Sequence, residues 1–197
     1  MSAVIRAFIA IDISPEILRH IEEISRELKR RLKEVPVRWV AVNNIHLTLK
    51  FLGNVSVANL DLLKNVIKAE TEQIASFEIH VNGLGAFPSV RRPHVIWTGV
   101  EAPPILATMQ KGLDRETARL GYPSEERSFS AHLTLGRVSR NSSPADARRI
   151  AEVLENYKVG SLGKMRVISV NLYRSDLQPE GSIYTSLYHA LLKAQDH

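Results

Sequence analysis

Two periods of hydrophobic residues alternate along the chain. β-Branched and apolar runs read as strands, and apolar positions recurring every three or four residues read as helices. Residues 5–11 form the first strand. Ser14-Pro15-Glu16 then supplies a capping hydroxyl, a first-turn proline and an early acid. Ile17, Ile21, Ile24, Leu28 and Leu32 place one apolar stripe on a helix over about residues 15–33. A short strand at 37–40, a turn at Asn43-Asn44 and a strong strand at 45–52 follow, stopped by Gly53-Asn54. Leu60, Leu63, Ile67 and Ile74 predict a helix over about 57–75. Phe77, Ile79 and Val81 alternate with polar residues as a half-buried strand. Gly83, Gly85, Pro88 and Arg91-Arg92-Pro93 read as a loop before a strand at 95–100.

The second half repeats the rhythm. A helix from Pro103-Pro104 carries Leu106, Met109, Leu113 and Leu120 and ends at Gly121. Residues 122–128 are polar loop, 130–138 a strand, and Ser143-Pro144-Ala145-Asp146 opens a helix to about 156. Strands at 167–173 and 182–192 close the chain. Strands and helices in this mixed order, with hairpin-length links, predict an α+β fold with largely antiparallel sheet.

His46-Leu47-Thr48-Leu49 recurs, residue for residue, as His132-Leu133-Thr134-Leu135, once in each half and both times in a predicted strand. Alternation puts His46 and Thr48 on one face and the two leucines on the other. The leucines can anchor the strand while the His-Thr pair projects into a cleft; the second copy presents His132 and Thr134 likewise. Two imidazoles at one site suit acid–base chemistry, because histidine titrates near pH 6.5. The threonine hydroxyls can donate to a charged phosphoryl oxygen.

Composition narrows the chemistry. The 197 residues contain no cysteine, which excludes a disulfide scaffold, a thiolate metal site and a cysteine nucleophile. No carboxylate cluster or paired-histidine helix suggests a metal site. Lys+Arg is 26 against Asp+Glu 21, a net charge of +5. The excess is diffuse and fits a modestly anionic ligand, not a long duplex. The opening apolar run is broken by Arg6, is too short to span a membrane and lacks a signal peptide's cleavage region.

The paired His-x-Thr-x motifs resemble the 2H phosphoesterase superfamily. More narrowly, the chain is similar to the RNA 2′,3′-cyclic phosphodiesterases, also called 2′-5′ RNA ligases. The likeness runs through Arg6-Ala-Phe-Ile-Ala-Ile11, Asn44-Ile-His-Leu-Thr-Leu-Lys-Phe-Leu-Gly53, Gly83-Leu-Gly-Ala-Phe-Pro88 with Val95-Ile-Trp97, Arg127-Ser-Phe-Ser-Ala-His-Leu-Thr-Leu-Gly-Arg137, and Ser175-Asp-Leu with Gly181 and Tyr184. Ala131 departs from the family, which often has proline there. The resemblance implies a single domain, residues 1–197, of two pseudo-symmetric lobes around a central groove. It implies hydrolysis of RNA 2′,3′-cyclic phosphate ends to 2′-phosphate, with reverse 2′-5′ ligation, and needs no cofactor and no metal. It makes His46 the proton donor and His132 the proton acceptor, roles the identical motifs do not themselves separate. A cytoplasmic monomer that binds an RNA end and no membrane is the corresponding expectation. A non-catalytic RNA-end binding module, and a 2H phosphodiesterase for another oligonucleotide, stand as alternatives.

Other residues carry two readings each. Lys50 has the parity of His46 and is either a phosphate contact or a solvated lysine at a strand end. Arg137 has the opposite parity to His132, but a bulge at Gly136 could re-aim it towards substrate phosphate. Arg91 and Arg92 are either RNA-backbone contacts or a solvated basic loop. Tyr184 either stacks on a base or packs in the core. Phe51 shares the leucines' parity and is expected in the core. Trp39 and Trp97 are expected in core or cleft wall and His80 at the surface. His20, His94, His189 and His197 are given no role.

Overall fold

The computed structural model describes residues 3–179 and 181–194; His197 lies outside the described residues. The elements are β1 (Val4–Asp12), α1 (Pro15–Arg31), β2 (Val37–Trp39), β3 (His46–Ser56), α2 (Leu60–Thr71), β4 (Phe77–Ser89), β5 (Arg92–Glu101), α3 (Pro104–Arg119), β6 (His132–Val138), α4 (Pro144–Asn156), β7 (Ser161–Val167), β8 (Ser169–Gln178) and β9 (Gly181–Leu191). Short 3-10 turns occupy Val42–Asn44 and Val57–Asn59.

Helices start where the sequence supplies caps. The Ser14 hydroxyl accepts from the Ile17 N–H, and α1 buries Ile17, Ile21, Ile24 and Leu28. Ser143 and Asp146 form a complete capping box at α4. Helix α2 is shorter than the periodicity suggests, because its first turn is 3-10 and Thr71 turns its hydroxyl back to the Ile67 carbonyl at the C-terminal end.

The nine strands form one antiparallel sheet in the order β7-β4-β5-β6-β3-β1-β8-β9, with β2 beside β6. The order is palindromic about its centre: β6 matches β3, β5 matches β1, and each inner pair is flanked by two further strands. These halves are the two lobes. Their sheet ladders join where Leu47 stands opposite Leu133, in the middle of the two tetrapeptides. Leu47, Leu49, Leu133 and Leu135 are all buried with the helices' apolar stripes. Each such leucine contributes about 1.5–3 kcal/mol by leaving water. No described helix is long and apolar enough to cross a membrane.

Residues 83–93 are not the loop their glycines suggest. Strand β4 continues to Ser89 and turns through Val90-Arg91 into β5. The ladder skips register between Asn82 and Gly85, and a Cβ on Gly85 would lie 2.3 Å from the Trp97 ring. Gly85 therefore admits an indole over the strand rather than ending it. Strand β7, which pairs with β4 at the sheet edge, has no counterpart in the hydrophobic reading, because Gly163 and Lys164 interrupt its alternation.

Candidate active site

Both tetrapeptide strands carry the same irregularity. Opposite β1, Ile9 pairs with Lys50 and Ala10 with Thr48, leaving Leu49 extra. Opposite β5, Ile96 pairs with Gly136 and Trp97 with Thr134, leaving Leu135 extra. A bulge reverses the alternation beyond it. In β3, Leu49 and Lys50 both point into the core and Phe51 emerges on the histidine face. In β6, Leu135 and Gly136 are both buried and Arg137 emerges.

Three sequence expectations change on this account. Lys50 does not share the histidine face; it is 1% exposed, its ammonium 2.6 Å from Asp114 of α3 and also donating to the Pro123 carbonyl. Phe51, expected in the core, is 57% exposed. Arg137 is re-aimed as a bulge would require, but the extra residue is Leu135. Gly136 has its own reason: a Cβ there would lie 2.8 Å from Val37 and 3.0 Å from Trp39 of β2.

The two histidines are held alike. His46 Nδ1 lies 2.8 Å from the Asn44 carbonyl and His132 Nδ1 2.7 Å from the Ser130 carbonyl, each two residues upstream. A backbone carbonyl only accepts, so Nδ1–H donates, and Nε2 is left as the atom that exchanges protons. The Leu47–Leu133 register puts His46 and His132 diagonally across the strand pair, about 7–8 Å apart at the backbone, with Thr48 and Thr134 between them. Burial pushes His46 down to about 4, with the Arg137 charge adding to it and the Asn44 carbonyl and Asp12 opposing. Burial lowers His132 too, again reinforced by Arg137 and opposed by the Ser130 carbonyl. Arg137 thus acts on both rings.

The surroundings differ. Phe8 stacks on His46 at 4.6 Å, and Tyr184 meets His46 edge-on at 5.3 Å. Phe8 also contacts Phe51, Tyr173 and Tyr184, so lobe one presents an aromatic shelf. His132 has Phe87 edge-on at 4.9 Å, backed by half-buried Trp97. Asp12 pairs with His46 in register, and its carboxylate accepts from Tyr173 Oη at 2.7 Å and Asn171 Nδ2 at 3.0 Å. Phe8, Asp12, Phe87, Asn171 and Tyr173 escaped the sequence reading. Asp12 had a signal, as the polar residue closing an apolar strand with the parity of Phe8; so did Asn171, an amide in an otherwise apolar strand that needs a partner once buried.

The remaining expected residues lie farther out. Arg91 and Arg92 are exposed at the β4–β5 turn. Because Val95 pairs with Arg137, Arg92 lies about 10 Å beyond it at ~3.3 Å per residue. His80 is half-buried and bonded to Ser161 and Glu101, His20 bonds the Leu162 carbonyl, and His94 is exposed.

Two His-x-Thr strands, anchored by leucines and meeting at the centre of one antiparallel sheet, define a two-histidine phosphoesterase. The chain belongs to the LigT-like phosphoesterase family, whose model matches residues 11–97 and again residues 100–184, one tetrapeptide in each stretch. It is 36% identical over 183 residues to a Methanothermobacter thermautotrophicus protein named RNA 2′,3′-cyclic phosphodiesterase, covering 93% of this chain and 96% of that one. An Archaeoglobus fulgidus protein of the same name is 32% identical, with 92% and 97% covered. The crystal structure of E. coli LigT complexed with 3′-AMP superposes with a TM-score of 0.77 at 25% identity, covering 96% of this chain and 99% of that one.

Proposed function

We propose that the protein hydrolyses RNA 2′,3′-cyclic phosphate ends to 2′-phosphates, with His46 as general acid and His132 as general base. The observation that carries this reading is the matched tethering of the two rings, which leaves both Nε2 atoms for proton transfer. His132 Nε2 takes a proton from water as its oxygen bonds to phosphorus. The phosphorus–O3′ bond breaks, and His46 Nε2–H protonates the departing oxygen, leaving a 3′-hydroxyl and a 2′-phosphate. Thr48 and Thr134 donate to the non-bridging oxygens, and Arg137 opposes their charge. At neutral pH burial keeps free His46 unprotonated; an arriving phosphate anion favours the imidazolium the acid role needs.

Phe51 and Tyr184 would stack the terminal base, and Arg91 and Arg92 would follow the RNA backbone upstream. Lys50 is left out of this set, since its ammonium is committed to Asp114. All groups in the scheme come from the chain, so it balances without metal or cofactor. The same site would act as a 2′-5′ ligase if a 5′-hydroxyl replaced water: His132 would take the hydroxyl proton as O5′ bonds to phosphorus, the phosphorus–O3′ bond would break, and His46 would protonate O3′. We read residues 1–197 as one domain of two lobes, acting as a cytoplasmic monomer; the absence of cysteine suits a reducing compartment.

The test is incubation with an RNA bearing a 2′,3′-cyclic phosphate, with and without chelator. A 2′-phosphate product, undiminished by chelator, is the expected result. A 3′-phosphate product would reverse the leaving oxygen, and no turnover would refute the activity.

A further inference from the structure

The two histidines have identical motifs and identical tethers, so something outside the motif must separate donor from acceptor. The residue opposite each ring on the neighbouring inner strand is the place to look. Opposite His46 on β1 stands Asp12; opposite His132 on β5 stands Gly99. Directly opposed residues of an antiparallel pair project from the same face with Cβ atoms about 4.5–5.5 Å apart. One imidazole therefore has a carboxylate as its cross-strand neighbour and the other has a hydrogen atom.

The carboxylate is held from behind. His189 Nδ1 lies 2.6 Å from Asn171 Oδ1, Asn171 Nδ2 donates to Asp12 Oδ2 at 3.0 Å, and Tyr173 Oη donates to Asp12 Oδ1 at 2.7 Å. Asn171 is 2% exposed, so its amide is a built part of the sheet. Both Asp12 oxygens are thus fixed, and a row of polar side chains crosses the four strands β3, β1, β8 and β9.

Lobe two contains a similar couple in a different place. Asn82 pairs with Gly99, and Glu101 lies two residues farther along β5. Hydrogen bonds from Asn82 and His80 hold the Glu101 carboxyl below its usual range. In lobe one the asparagine likewise lies opposite Ala10, two residues before its carboxylate. The couple has the same internal geometry in both halves. In lobe two it is set past the histidine by two residues, about 6.6 Å at ~3.3 Å per residue. A Cβ at Gly99 would also lie 3.1 Å from the Asn82 carbonyl, so that position favours glycine.

We propose that Asp12, clamped by Asn171 and Tyr173, is the positioning residue that makes His46 the proton donor and leaves His132 the acceptor. This rests on the cyclic phosphodiesterase reading above. A fixed negative charge beside one imidazole stabilises its protonated form and does nothing comparable for the other. The charged and titratable groups facing His46 are Asp12 from β1, Arg137 and His132 from β6, Tyr173 from β8 and Tyr184 from β9. Asp12 opposes the effect of burial on His46, while His132 has no such carboxylate among the groups acting on it.

The experiment is the pH profile of kcat on an RNA ending in 2′,3′-cyclic phosphate, for the full chain and its Asp12→Asn, Asp12→Glu and Tyr173→Phe variants. The alkaline limb reports loss of the acid's proton and the acidic limb gain of one by the base. In Asp12→Asn the alkaline limb should move down by about half a unit to one unit, with the acidic limb unmoved. Asp12→Glu should return it towards wild type. Tyr173→Phe, which keeps the charge and loses one hydrogen bond, should move it less. Unchanged limbs, or a shift of the acidic limb instead, would overturn the assignment. So would an equal shift in Tyr173→Phe, which would make the role one of packing alone. Absence of wild-type turnover is a separate outcome that removes the parent reading itself.

Discussion

The two histidine-bearing strands share a tetrapeptide, a tether and a bulge, and differ in nearly everything that touches them. After the bulge, β3 turns Lys50 into the core and Phe51 outward, where β6 turns Gly136 inward and Arg137 outward. Lobe one adds Phe8 and Tyr184 around its histidine, with Tyr173 stacked on Phe8; lobe two adds Phe87, with Trp97 behind it. The shared features set where protons can be exchanged. On the proposed reading the differing features divide the binding: the aromatic, carboxylate-bearing side would take a nucleobase and a protonated ring, and the guanidinium-bearing side would take phosphate. A duplicated motif is thus enough for the reactive pair but not for its polarity.

The sharpest break of the comparison is removal of either ring. His46→Ala and His132→Ala should each lower kcat by roughly 10²–10⁴-fold, the range for losing one acid or base, measured on a cyclic-phosphate RNA end. Next comes the buried half of the Lys50–Gly136 contrast. The Lys50 and Glu125 N–H contacts hold Asp114 below its usual range, against burial that would raise it. Asp114→Ala strands a buried ammonium and should cost about 3–5 kcal/mol, read by urea unfolding, with wild-type KM in the protein that remains folded. Lys50→Met, which removes the charge with its partner still reaching solvent, should cost less.

The exposed half of the contrast is tested with Phe51→Ala and Arg137→Ala. Loss of a stacking ring should weaken binding by about 1–3 kcal/mol, seen as a raised KM that depends on the terminal base. Loss of Arg137 should lower kcat/KM whatever the base, and more steeply at low salt. Equal base dependence in both variants would erase the proposed division between the two sides.

Much of this molecule is readable from pattern alone, and what is not readable has particular causes. The stripe Ile17–Ile21–Ile24–Leu28 and the Ser14 and Ser143 caps are local, so α1 and α4 appear in the sequence close to their observed bounds. The faces of His46, Thr48, His132 and Thr134 follow from strict alternation, which holds up to the bulge. Beyond it alternation fails: nothing in Leu49-Lys50-Phe51 announces the extra residue, which is set by the register of β1. Lys50 and Phe51 are therefore exchanged between faces. Asp12 and Asn171 are 159 positions apart, and only the sheet order joins them. Gly85 resembles a loop glycine because the sequence does not reveal the Trp97 indole that crowds it.

The smallest effect at neutral pH, and the one that sharpens the comparison of the two rings, appears only on acidification. Folding takes His46 from an ordinary value of 6.5 down to about 4 because burial penalises its charge. Between those values the unfolded chain binds a proton there that the folded chain refuses. Stability therefore falls as pH drops from about 6.5 towards 4, by at most ~1.4 kcal/mol per pH unit for one proton, and this contribution vanishes above 7. His132 is lowered in the same direction but is the more exposed ring by its hydrogen-bonding surroundings. His46→Gln should thus flatten the acid side of the stability curve more than His132→Gln, with both variants unchanged by this linkage at pH 7.5. Urea unfolding at half-unit steps from pH 4.5 to 7.5 measures the slopes. Equal flattening would mean that the two lobes bury their histidines equally, and that their difference lies in the cross-strand neighbours alone.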